Sequence, residues 1–68
     1  MATVAKVSTI TCRSTKSFED AVISGLARAN KSLRHISGAW IKEQKVEITE
    51  GKVTAWQVIM EVTFVLDD

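Results

Sequence analysis

The sequence predicts a small α+β domain in the order β-α-β-β, with a three-stranded antiparallel sheet wrapped around one helix. Three observations carry this. Residues 3–12 are rich in β-branched types. A middle segment repeats apolar or small residues every three or four positions. Two long β-rich runs flank Thr49-Glu50-Gly51-Lys52. With 68 residues, no Pro, no repeat and no low-complexity stretch, the chain reads as a single domain over residues 1–68.

The first strand is expected over residues 3–12, followed by a polar loop from Arg13 to Lys16. Ser17-Phe18-Glu19-Asp20 then has the spacing of a capping box, with Asp20 in place of the better Glu or Gln. Glu19 and Asp20 suit the positive end of a helix dipole, and Lys31, Arg34 and His35 suit the negative end. Phe18, Ala21, Val22, Gly25, Leu26, Ala29 and Leu33 form one helical stripe. Its small members, Ala21, Gly25 and Ala29, let a sheet approach closely. Ile23 falls outside the stripe and points to contact with another subunit.

Residues 38–48 and 53–66 read as a hairpin whose turn uses the positive φ that Gly51 allows. In the last strand Trp56, Val58, Met60, Val62, Phe64 and Leu66 alternate on one face, which should cover the helix. Pairing Thr49 with Lys52 sets Ile48 against Val53, Gln44 against Gln57 and Trp40 against Glu61. In that register Trp40, Lys42, Gln44 and Val46 share the face away from the helix with Gln57 and Ile59. Ala39 and Ile41 then lie beneath the helix.

Composition narrows the function. A domain this short buries only about 60% of its unfolded surface, so it needs extra support. The single Cys12 forbids an internal disulfide, and there is no Cys/His cluster for zinc. Oligomerisation is the remaining source of stability. Nine Lys/Arg against eight Asp/Glu give a net charge of +1, which argues against a nucleic-acid partner. No apolar run reaches the roughly 20 residues of a membrane span. The first residues, Met1 to Lys6, lack a signal-peptide pattern, so a soluble, cytoplasmic protein with a reduced thiol is expected. His35 has no partner at a spacing that suggests a general base, and a structural role at the helix end is favoured. Cys12 reads as a buried or interface thiol. No P-loop, dinucleotide fingerprint or carboxylate pair appears, so no enzyme is expected.

The second sheet face combines an aromatic, two amides, a cation and an acid with apolar neighbours. Such a patch marks an interface or a ligand site. A Trp can stack on a flat ring, and an amide can read the donors and acceptors of that ring. An oligomer interface without a ligand accounts for the same residues equally well.

Several segments together resemble the dodecin family. They are Lys16-Ser17-Phe18-Glu19-Asp20-Ala21, Leu26-Ala27-Arg28-Ala29, Gly51-Lys52-Val53-Thr54-Ala55-Trp56-Gln57-Val58 and Val62-Thr63-Phe64-Val65-Leu66. The resemblance covers nearly the whole chain. It implies a hollow homododecamer of cubic symmetry that stores flavin, of the riboflavin or FMN class, in stacked pairs without catalysis. By the same resemblance, Gln57 matches the glutamine that holds the flavin ring. The stacking Trp of the family falls on Gly38, while Trp40 lies two residues later, about 6.6 Å along the strand on the same face. The site implied is therefore Trp40, Gln57, Gln44 and Gly38. Gly38 itself reads either as a backbone necessity after the helix or as room for a ligand or another chain. The alternative is a cage that is structural or binds calcium, because some dodecin-like proteins are associated with that ion. Glu43, Glu47, Glu50, Asp67 and Asp68 offer oxygen ligands, without EF-hand spacing.

Overall fold

A computed structural model describes residues 2–66. Its elements are β1 (Ala5–Ser14), α1 (Phe18–Leu33), β2 (Ile36–Thr49) and β3 (Lys52–Val65). The sheet order is β1-β3-β2, and both pairings are antiparallel. The central strand is thus the one with the longest apolar alternation, which is the strand with most to bury.

β1 runs two residues past its expected end. Its ladder with β3 continues unbroken from Ala5↔Val65 to Ser14↔Trp56. Backbone pairing outweighs the polar character of Arg13 and Ser14. Ser14 instead organises the start of the helix. Its hydroxyl donates to Asp20 Oδ2 at 2.6 Å and accepts from the Lys16 backbone N–H at 2.9 Å. Ser17, in extended backbone, caps the helix by accepting from the Asp20 N–H at 2.9 Å. The half-box read from the sequence is therefore completed by a residue outside it.

The chain leaves α1 through Arg34 (φ 57) and His35 (φ 50), both in the left-handed region. They make the reversal, so no special backbone is needed at Gly38, which lacks a positive φ. β2 consequently starts at Ile36. At the hairpin turn Glu50 (φ 51) and Gly51 (φ 77) are both positive, the signature of a type I′ turn.

The core comprises Cys12, Ala21, Val58, Met60 and Val62, with Ile10, Phe18, Val22, Leu26, Leu33 and Ile36 packed against it. The expected row on β3 is realised at its middle. Leu66, expected in the strand, lies just past it and is exposed. α1 approaches β1 so closely that a Cβ built on Gly25 would lie 2.8 Å from Cys12 Cβ. The small-residue stripe has this purpose.

The hairpin register agrees with expectation at its two ends and departs from it between them. Thr49↔Lys52, Ile48↔Val53, Trp40↔Glu61 and Ile41↔Met60 are paired as expected. In the middle, Gln44 faces Val58 and Lys45 faces Gln57, so the expected Gln44–Gln57 pair is absent. The two shifts that bound this middle lie between Glu47 and Ile48 and between Ile41 and Glu43, and a third lies between Ile36 and Gly38 where β2 begins. Thr54 is therefore an extra residue on β3, and Lys42 is an extra residue on β2. Each bulge slips the register by one residue, and a slip of one exchanges faces.

Candidate functional site

The slip decides which side chains share the uncovered face of the sheet. Directly paired residues lie on one face. Trp40 opposite Glu61, Glu43 opposite Ile59, Lys45 opposite Gln57 and Glu47 opposite Ala55 therefore line that face. Gln44 and Val46, expected there, instead pair with Val58 and Trp56 on the face that carries the helix. Gln44 still borders a shallow cavity of about 220 Å³ that is otherwise lined by Glu43, Lys45, Gln57 and Ile59.

Two ion pairs order this face. Lys42 Nζ lies 3.0 Å from Glu61 Oε1. Hydrogen bonding to Glu61 and the attraction of its charge raise the Lys42 pKa above the usual lysine value. Arg13 reaches Glu47 through Nε at 2.8 Å and through its terminal nitrogen at 3.2 Å. Because Arg13 pairs with Gln57 and Glu47 with Ala55, this two-pronged bridge spans β3 from one edge strand to the other. Ala55 beneath it has no exposed surface. The hydrogen bond from Arg13 holds the Glu47 carboxyl below its usual range.

Trp40 is the largest exposed apolar side chain here, at 74% exposure. Gln57 is half-buried at the floor of the small cavity. Since Trp40 faces Glu61, the two are four β3 residues apart, about 13 Å. Gly38 faces Thr63, further along the same face, and a Cβ built there meets nothing within 4 Å. The face thus offers a stacking surface, an amide and open space, arranged along one line. Neither Lys45 nor the Arg13–Glu47 bridge is legible in the sequence, where Glu43 and Glu47 stand only as oxygen ligands for calcium. Their only signal is the pair of bulges, and nothing in the local residue types marks those.

Cys12 lies in the core and His35 in the turn after α1, both away from this face. Burial raises the Cys12 pKa, which keeps a thiol rather than a thiolate. The His35 carbonyl accepts from the Val65 N–H at 3.1 Å. Among the described residues no group of three or more His, Cys, Asp or Glu could hold a metal ion. Asp67 and Asp68 lie outside the described residues. No described helix is long and apolar enough to cross a membrane.

Asp20 carries the clearest pH dependence. Hydrogen bonds from Ser14 and Ser24, with the charge of Lys16, hold its carboxyl below the usual range. A depressed folded-state pKa stabilises the fold above the unfolded value of about 3.9 and ceases to do so as pH falls through the folded value. The thermal midpoint of Asp20→Asn is therefore expected to lie below that of the parent at pH 7. The gap should narrow below about pH 4. A gap that stays constant to pH 3 would remove Asp20 from the acid response.

The structure is a single β-α-β-β unit with a small core and one bare, aromatic-bearing sheet face. The family model for dodecin matches residues 4–67, and the chain belongs to the dodecin family. It is 40% identical to the dodecin of Thermus thermophilus over 55 residues, which is 81% of this chain and 80% of that protein. An arginine-to-alanine variant of Thermus thermophilus dodecin superposes with a TM-score of 0.91 at 36% identity, covering 98% of this chain and all of that one. Dodecin from Streptomyces davaonensis gives 0.94 at 26% identity, with full coverage of both chains. The calcium dodecin of Mycobacterium tuberculosis, a calcium-chelating antigen with a calcium-binding site, gives 0.80 at 31% identity over 94% of this chain and 91% of that one.

Proposed function

We propose that this chain assembles into a homododecameric cage that binds and sequesters flavin, riboflavin or FMN, without catalysing a reaction. The observation that carries the reading is Trp40, fully presented on the bare sheet face in line with the amide of Gln57 and the open position at Gly38. A planar ring stacked on an aromatic gains roughly 0.5–1.5 kcal/mol beyond burial, and a symmetry axis repeats the contact. Gln57 orients the ring by hydrogen bonds worth about 1 kcal/mol each. Gln44 borders the same cavity and adds a polar wall. The location expected is the cytoplasm.

Titration of the ligand-stripped oligomer with riboflavin and FMN, followed by tryptophan and flavin fluorescence, tests this. Saturable quenching at micromolar flavin is expected. Trp40→Ala should weaken binding by about tenfold and Gln57→Ala by about fivefold. Gly38→Trp, introduced where the backbone has open space, should tighten it. An absence of saturable quenching in the parent would overturn the flavin reading.

The likeness to a calcium dodecin supports a second reading, a cage that is structural or binds calcium. Such a site would be built between subunits, since no single chain gathers the ligands among the described residues. Its mark is a thermal midpoint that rises with calcium while flavin has no effect.

A further inference from the structure

The row of the bare face that holds Gln57 is built from all three strands. Gln57 pairs with Arg13 on β1 and with Lys45 on β2. Direct partners on one face stand about 4.5–5.5 Å apart between Cβ atoms, so the Arg13 side chain starts at the shoulder of the Gln57 amide. It then turns toward the hairpin end, where Nε donates to Glu47 Oε2 at 2.8 Å and Nη2 donates to Glu47 Oε1 at 3.2 Å. Glu47 stands opposite Ala55, on the hairpin side of Gln57, and Trp40 lies in the other direction, opposite Glu61. A ring lying along the face from Trp40 therefore meets Gln57 and then the guanidinium. Stability does not account for this bridge. An exposed ion pair contributes little to folding, and its two side chains are 54% and 39% exposed. It also depends on the bulge at Thr54, because in an unbroken register Glu47 would face Thr54 and lie on the helix side. The bridge engages Nε and Nη2 only. Nη1 has no acceptor among the described residues.

We infer that Arg13 is a second hydrogen-bonding residue of the flavin site, braced by Glu47 so that Nη1 donates to a ring carbonyl beside the edge that Gln57 holds. The inference rests on the flavin reading and deepens it by naming what the site selects. An amide donates and accepts, whereas a guanidinium only donates. Side by side they recognise a planar ring whose edge presents a carbonyl oxygen next to an N–H, as the pyrimidine-like edge of a flavin does. Arg13 suits this task better than Lys45 on the other flank of Gln57. Its planar fork is fixed at two points by one carboxylate and still has donors to spare, while Lys45 is a point charge on a flexible stem with no ion pair to brace it among the described residues. Glu47 is thus a positioning residue. It touches no ligand and acts through Arg13.

Riboflavin and its 2-thio and 4-thio analogues, titrated into the ligand-stripped protein, separate a ligand contact from a tie between edge strands. Sulfur in place of a carbonyl oxygen is a weaker acceptor. Arg13→Gln should bind riboflavin about tenfold more weakly than the parent, the loss expected for a hydrogen bond from a charged donor. The parent should discriminate by a similar factor against one of the two analogues, and Arg13→Gln should lose that discrimination. Glu47→Gln keeps the guanidinium and loosens its brace, so it should weaken riboflavin binding by about threefold in the parent and add nothing to Arg13→Gln. Circular dichroism and the assembled mass should stay unchanged in all variants. If the parent binds riboflavin and Arg13→Gln binds it equally, or keeps the same discrimination, the bridge is only a tie and the inference is overturned while the flavin reading stands. A parent that binds no flavin overturns both.

Discussion

Met60→Ala is expected to cost about 2–5 kcal/mol of unfolding free energy, the range for emptying a buried large side chain. Met60 has no exposed surface and sits mid-strand, between Ile10 on β1 and Ile41 on β2. It belongs to the core beneath α1, and β3 is tied there by an unbroken ladder to β1 and a bulged one to β2. The cavity can collapse only by moving the helix, because the backbone of a central strand is fixed by both neighbours. Denaturant unfolding at fixed protein concentration checks it, since assembly shifts the apparent stability by mass action. A loss below about 1 kcal/mol would show that the core has its centre elsewhere.

Gly25→Ala is expected to destabilise although it improves the helix. Ala gains roughly 1 kcal/mol over Gly in a helix interior. Here the added Cβ would fall 2.8 Å from Cys12 Cβ and would overlap Cys12 Sγ. Overpacking of this kind costs typically about 1–3 kcal/mol, enough to cancel or exceed the gain. The cause is testable by a double-mutant cycle. Cys12→Ala removes the sulfur, so Gly25→Ala should cost less in that background than in the parent. Equal costs in both backgrounds would place the clash elsewhere.

The close approach at Gly25 was legible as a stripe of small residues, because helix periodicity leaves little choice of face. The turn at Gly51 was legible for a similar reason, since positive φ has few bearers. The reversal after α1 was not, because Arg34 and His35 adopt positive φ that their residue types do not advertise. Membership of the family and the sequence of elements along the chain are legible over nearly its whole length, whereas the place of β1 beside β3 is not. The composition of the bare face was only half readable. Trp40 and Gln57 were assigned to it from alternation, and they pair with residues of that face. Gln44 and Val46 were assigned to it by the same rule and lie on the other side. Alternation holds only while the register does, and a bulge is a backbone event that many side chains tolerate.

Those two bulges behave like a frameshift and its suppressor. Thr54 moves β2 out of phase with β3, and Lys42 restores the phase twelve residues away in the chain. The five residues from Glu43 to Glu47 are read in the shifted frame, while the turn and the Trp40 end are read in the original one. Loss of either extra residue alone would carry the wrong frame to one end of the hairpin and turn its side chains to the opposite face. Loss of both would confine the change to the five residues between. The protein can therefore redraw the middle of its bare face without touching either end, provided that the two length changes occur together.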